Sequence, residues 1–394
     1  MDNTIPRRKV SAMYGLMVCV LVGGCSDGLM EYTDDRESLT QWTCEIDATG
    51  ETDVTTALNQ CVAKTPNGDV LQLMQGGQYR VEGTLQILGK SNLTIEGNGA
   101  TIFALTDGSG VTPPGGLGHL WPRQRSHVEI VDGSNIVIRN LIVRGANPSA
   151  GSAKGAYVAE LEGQHGFDVR GTKGFTLENV TVTDTYGDLL YLGPGPSGWG
   201  RDAVVRNAHL ERSGRQGIAI TGFEDVLVED SHIGEIGRTI IDIEPFSETG
   251  GARRVTFRNN TFGPCRHLWV HSGGRGPNVE DILFVDNQLI GMGIKVVVHT
   301  SQASPVGTRR GSHAFVRNIS DTTSGGPQPA FRFHFIDGVE VVDNRAPIPQ
   351  NDDKVGVYAC ESTDIDIRGN DFGNAKAPYE ISSTCPVYTE EEEE

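Results

Sequence analysis

Ile136-Val-Ile-Arg-Asn140 introduces a phrase, two apolar residues at alternate positions and then Asn or Asp, that the chain goes on repeating. Further copies are Phe175-Thr-Leu-Glu-Asn179, Val204-Val-Arg-Asn207, Val226-Leu-Val-Glu-Asp230 and Val255-Thr-Phe-Arg-Asn259. Ile282-Leu-Phe-Val-Asp286, Phe315-Val-Arg-Asn318, Val339-Glu-Val-Val-Asp343 and Ile365-Asp-Ile-Arg-Gly369 follow. Successive copies are 23 residues apart at the closest (Asn207 to Asp230) and 39 at the widest (Asn140 to Asn179), so one loop of the unit varies in length. Repetition at this period marks a solenoid, and the period-2 alternation inside each unit makes its elements strands. The repeated Asn or Asp is expected to stack at one turn, where short polar side chains bond turn backbone or the neighbouring coil.

A solenoid grows by adding coils, so 394 residues can form one stacked body. The 51 glycines suit a chain that turns several times per repeat. A net charge of −18 excludes a nucleic-acid partner, which demands a strongly basic face. Near the start, Arg7-Arg8-Lys9, an apolar run over 10–22 and Leu21-Val-Gly-Gly-Cys25 read as an export signal too short to span a membrane. Its ending resembles a bacterial lipobox with Cys25 as the lipid-bearing residue, which implies a cell-envelope lipoprotein at the outer membrane or cell surface; plain secretion is the alternative. In an oxidising compartment Cys44 with Cys61, and Cys360 with Cys385, are close enough in sequence to staple the two ends, leaving Cys265 over.

Residues 1–25 are thus expected to be a signal peptide, 26–42 a linker, 43–385 the solenoid and 386–394 an acidic disordered tail. Within the solenoid, 53–64 has helical spacing and would cap the first coil. The helix, the turn before Tyr79-Arg80-Val81, and Leu93-Thr-Ile-Glu-Gly-Asn-Gly99 come in an order that resembles the opening of the pectate lyase superfamily. The resemblance implies an all-β chain, a single-stranded right-handed parallel β-helix with an N-terminal capping helix. It implies much less about activity, because the family holds lyases, hydrolases, epimerases, tailspikes and proteins without catalysis.

A second strand precedes each copy of the phrase. Aligned, these read Phe167-Asp-Val-Arg170, Leu190-Tyr-Leu192, Ile218-Ala-Ile-Thr221, Ile241-Asp-Ile-Glu244, Leu268-Trp-Val-His271, Val296-Val-Val-His299, Phe331-Arg-Phe-His334 and Val357-Tyr-Ala-Cys360. First and third positions point inward, second and fourth outward. Coils about 4.8 Å apart turn equivalent positions into columns. The fourth column would run through Glu244, His271, His299 and His334, the second through Asp168, Tyr191, Asp242, Trp269, Arg332 and Tyr358. Arg215, Gln216, Arg238, His267 and Lys295 lie just ahead of these strands. So basic a face on so acidic a chain points to an open cleft for a polysaccharide, most plausibly acidic. Basic groups would match its carboxylates, and Tyr191, Trp269 and Tyr358 would stack on sugar faces.

A β-elimination lyase needs a neutralised uronate, a base and a proton donor. Lys295 or His299 would be the base, His271 a further proton-transfer group, and Arg238 and Arg332 would grip the carboxylate. Asp168, Tyr191, Arg215, Gln216, His267, Trp269 and His334 would line the substrate. Asp242 and Glu244 offer oxygen ligands for Ca²⁺, the one cofactor in view. The same pair, about 6.5–7 Å apart on one strand, also permits inverting hydrolysis, with Asp168 and Asp188 as spare acids. The signatures of polygalacturonase-like enzymes and of alginate epimerases are missing. Lyase, hydrolase and epimerase therefore stay open, beside a non-catalytic glycan-binding monomer whose acids and bases would all neutralise one another.

Overall fold

In the computed structural model the described residues are 41–111, 125–247, 249–300, 307–323, 329–350 and 353–385. The leader, Cys25, most of the linker and the acidic tail lie outside them. Every strand pairing is parallel and joins one coil to the next. Each full coil has three short walls. The first is a sheet of eleven strands, running from Leu85–Leu88 through Ile241–Ile243 to Ala377–Ser382. The second carries the repeated phrase, as in Gly251–Arg258, and the third follows at once, as in Thr261–Phe262. The helix Thr55–Lys64 covers the first coil with Leu58, Cys61 and Val62. Disulfides join Cys44 to Cys61 and Cys360 to Cys385, and Cys265 is free.

The corner between second and third walls explains the repeated Asn and Asp. Asn140, Asn179, Asn207, Asp230, Asn259, Asp286 and Asp343 all have φ between 50° and 56°. Asn and Asp reach this left-handed region at least cost among side-chain-bearing residues. Two rungs bond directly, Asn179 Nδ2 donating to Asn140 and Asn259 Nδ2 to Asp230. The inner ladder is one residue further on. Asn260, Asn287, Asn318 and Asn344 are buried, each amide donating to the next rung's Oδ1 and to a backbone carbonyl of the preceding coil. In the Phe315 copy the expected alignment slips by one, since Arg317 takes the left-handed corner (φ 53°) and Asn318 falls into the buried ladder.

Inside, Phe257, Phe284 and Phe315 stack coil upon coil at 4.7 and 4.9 Å, nearly parallel. Trp269 meets this stack edge-on, 5.3 Å from Phe284 and 5.8 Å from Phe315. Each such side chain withdrawn from water contributes roughly 1.5–3 kcal/mol. Among the described residues no helix is long and apolar enough to cross a membrane.

Candidate functional site

The outward rows of the first wall are fixed by strand register. The second row runs Asp168, Tyr191, Ala219, Asp242, His271, Val297, Arg332, Tyr358. His271 therefore stands where Trp269 was expected, and the single file Glu244–His271–His299–His334 does not exist. The strand is displaced by two residues, which preserves its inside-out alternation. Trp269 turns into the core at 0 % exposure, drawn by the space beside Phe262, Phe284 and Phe315. It stacks on no sugar.

The displacement puts Gly273 in the fourth row beside His299. A Cβ on Gly273 would lie 2.4 Å from Cε1 and Nε2 of His271 and 3.0 Å from His299 Nε2. Through that notch His271 crosses between rows. Its Nε2 sits 3.1 Å from Nε2 of His299, and its Nδ1 2.9 Å from Asp242 Oδ1. Gln216 donates to Asp242 Oδ2 at 2.9 Å, while its own Oε1 accepts the Thr239 N–H. One polar line thus links Gln216, Asp242, His271 and His299 across four successive coils.

The partners dictate where the protons are. His299 Nδ1 lies 3.1 Å from the Thr300 carbonyl, which only accepts, so that nitrogen carries a hydrogen, and burial, which disfavours a second proton on the ring, leaves Nε2 as the acceptor. His271 then donates from Nε2 to His299 and from Nδ1 to Asp242, so it is an imidazolium. Burial and the His271 charge hold His299 well below its ordinary pKa, keeping it neutral. Burial pushes the Asp242 carboxyl up, but the His271 hydrogen bond and charge, with Arg215 and Arg238, bring it below the usual range. Behind the line, Arg310 donates to Ser272 Oγ at 2.9 Å and to the Gly273 carbonyl, fixing the turn. Burial lowers this guanidinium to about 9 against the charges of Glu244 and Asp242. Read from sequence, Arg309-Arg310-Gly311 is an unremarked loop, and nothing there signals this role.

The earlier coils carry closed ion pairs instead of an open groove. Arg170 bonds Asp168 at 2.8 Å and lies 4.7 Å over the Tyr191 ring, whose other neighbour is His165, stacked at 4.9 Å. Tyr191 is 4 % exposed and bonded to Thr221, so it offers no face to a sugar. Arg215 makes two bonds to Asp188, at 2.9 and 3.0 Å, and approaches Glu162 at 3.4 Å. Asp188 is therefore an anchor for Arg215 and not a spare acid. Arg238 lies 5.1 Å over Tyr157. Arg215, Arg238 and His267 follow one another at the same corner of successive coils, Arg238 N–H to Arg215 O and His267 N–H to Arg238 O.

Lys295 is half-buried at the corner preceding its strand, where its charge tempers the burial that raises the Cys265 thiol to about 12. It is the register partner of the corner residue Trp269 and not of the histidines. His299 and His334 are 3 and 2 % exposed, so they are enclosed, contrary to an open file. The His334 ring meets Tyr358 edge-on at 5.8 Å. Glu244, His271, Arg332 and Tyr358 are half-buried and reach the surface, as do Arg238, His267 and Lys295 at the preceding corner. The expected Ca²⁺ pair is not supported, because both Asp242 oxygens already accept hydrogen bonds.

A family model described as the right handed beta helix region matches residues 126–309. A solved family 28 exopolygalacturonase of Yersinia enterocolitica superposes with a TM-score of 0.61, 15 % identity, over 87 % of this chain and 78 % of its own. An alginate lyase of Paenibacillus sp. str. FPU-7 gives 0.52 at 14 % identity, over 87 and 99 %. The Streptococcus pneumoniae surface protein and adhesin PfbA gives 0.52 at 12 % identity, over 85 and 97 %. The fold is the right-handed parallel β-helix, shared by polysaccharide-acting enzymes and an adhesin. In sequence, the SPbeta prophage-derived uncharacterized protein YorA of Bacillus subtilis (strain 168) is 33 % identical over 102 residues. That match covers 22 % of this chain and 17 % of YorA, about a sixth of the relative's length.

Proposed function

We propose that this chain cleaves an acidic polysaccharide by β-elimination, with His271 as the proton donor. The observation that carries the reading is the Asp242–His271–His299 line, seated in the notch left by Gly273. A buried carboxylate orients an imidazolium whose second proton faces a neutral imidazole, an arrangement that stores one transferable proton. In β-elimination the C–H bond beside the uronate carboxylate breaks and its electrons form a C=C bond. The glycosidic C–O bond breaks in turn, and its oxygen takes a proton. The half-buried His271 supplies that proton from Nε2, turning it from His299 to the leaving oxygen while Asp242 keeps hold of Nδ1. Arg332, two coils on in the same row, pairs with the carboxylate. Glu244, on the adjacent coil and two positions along, is the accessible base, about 8 Å from His271 by sheet spacing, room for one glycosidic linkage.

Inverting hydrolysis is less well supported, because it needs a protonated carboxylic acid opposite a carboxylate. Asp242 is held ionised with both oxygens engaged, which leaves Glu244 alone. A non-catalytic glycan-binding surface is the second reading, favoured by the closed pairs Asp168–Arg170 and Asp188–Arg215. The proposal also places the protein outside the cytoplasm, held by a lipid on Cys25 and acting on an envelope or extracellular glycan. Paired cysteines in the first and last described coils support that compartment.

The test incubates the protein with pectate, alginate and glycosaminoglycans and follows absorbance near 235 nm, roughly where the unsaturated product absorbs, beside a reducing-sugar assay. Ultraviolet signal that falls about 100-fold or more in His271→Ala supports the lyase. Reducing ends without that signal point to hydrolysis. Binding without cleavage, unchanged in His271→Ala, sinks the reading.

A further inference from the structure

The third wall carries a second group of histidines, on a different wall from the line just described. His209 and Glu211 are two residues apart on the strand His209–Ser213 and point outward together. His232, on the strand His232–Ile236, is the register partner of His209, and their rings stack at 4.8 Å, 17° from parallel. His209 Nε2 lies 2.5 Å from Glu211 Oε2. One nitrogen of each ring and a carboxylate oxygen all lie within 4.8 Å of one another.

The neighbouring row keeps this space open. Glu211 is in register with Gly234, and Gly263 follows on the next coil. A Cβ at Gly234 would lie 3.2 Å from Nε2 of His232 and 2.8 Å from the Gly263 backbone. The His232 ring therefore leans over two side-chain-free positions, toward the row that holds Glu211. A generic solvated strand would fill such positions with Thr, Ser or Lys.

We infer that His209, Glu211 and His232 form a site for a divalent transition-metal ion of the Zn²⁺ type. Two imidazoles and one carboxylate are a donor set zinc takes at three-ligand sites, leaving a fourth position for water or for a donor from another molecule. Hard cations such as Mg²⁺ and Ca²⁺ prefer all-oxygen shells, and two of these three donors are nitrogens. The ion would also tie two successive coils through side chains. The other compact donor group, His334 with Cys360 and Cys385, has both sulfurs bonded to each other. The inference does not depend on the catalytic reading, since none of its residues belongs to the first wall.

Isothermal titration of metal-free protein with ZnCl₂ tests it, with MgCl₂ and CaCl₂ as controls and thermal unfolding as a second readout. One zinc per chain is expected, with Mg²⁺ and Ca²⁺ silent. His209→Ala and His232→Ala should each weaken zinc binding by at least about tenfold, 1.4 kcal/mol, and abolish the zinc-dependent rise in Tm. His271→Ala should bind zinc as the parent does. Because these side chains are at the surface, both variants should fold, which circular dichroism checks. No zinc binding in the parent, or undiminished binding in the His209/His232 double variant, overturns the site; loss in His271→Ala instead would move the ion to the first wall.

Discussion

Gly273→Ala puts one methyl group into the notch that the His271 line needs. The new Cβ would stand 2.4 Å from His271 Cε1 and Nε2, nearer than non-bonded carbon and nitrogen can approach. Gly273 does not sit at positive φ, so the backbone tolerates alanine and the collision must be relieved by the ring. His271 is half-buried and can swing outward, which breaks its 3.1 Å contact with His299 and loosens the bond to Asp242. A hydrogen bond to a charged group is worth about 1.5–3 kcal/mol. If that loss falls on the transition state, the rate drops roughly 10- to 150-fold. The assay is initial rate on whichever glycan the parent cleaves, together with a double-mutant cycle. In the His271→Ala background, where the struck atoms are gone, Gly273→Ala should cost almost nothing further. Parent-level activity in Gly273→Ala, or full additivity with His271→Ala, would refute the notch.

Two further outcomes concern the scaffold. His127 and His313 are fully buried, and burial with the nearby Arg125 and Arg310 charges lowers each to about 3. The unfolded chain binds protons on them below pH ~6.5 while the folded chain does not, so their contribution is complete above that pH and shrinks on acidification. At 1.36 kcal/mol per unit, going from pH 6.5 to 5 should cost roughly 2 kcal/mol for each histidine, read by urea unfolding at both pH values; a flat profile would contradict their burial. Asn318→Ala removes a rung whose amide and carbonyl serve Asn287, Asn344 and the Phe284 carbonyl, and should cost about 2–4 kcal/mol. Asn179→Ala, at an exposed left-handed corner, should cost about 1 kcal/mol; equal losses would show that the inner ladder has no special weight.

The phrase around Asn140 revealed the coil, its strands and its corner, because inside-out alternation and left-handed Asn are local properties. The register of one first-wall strand was not legible. Both Leu268-Trp-Val and Val270-His-Ser can supply an inward–outward–inward triplet, and only the aromatic stack around Phe284, assembled from three successive coils, decides between them. The closure of the early coils was hidden for a similar reason. Columns of Asp168, Arg170, Asp188 and Arg215 can be listed from sequence, but whether they face a ligand or each other depends on distances between coils. Gln216 and Asp242 were picked as site residues for their positions, and the structure gives them the task of holding His271. His209 and His232 align across one repeat in the sequence, but their stacking and the approach of Glu211 depend on the spacing and register of two coils.

The two covalent bonds bear on how this molecule comes apart. A stack held mainly by neighbour-to-neighbour pairing melts by fraying, one terminal layer at a time. Here the capping helix is tied to the segment before it through Cys61 and Cys44, and the strand Val355–Cys360 is tied to the segment just past the last first-wall strand through Cys360 and Cys385. Unzipping is thereby blocked where it would begin, and rupture must start from the middle, against the full asparagine spine. Reductant should then shift unfolding from one sharp transition toward a gradual peeling.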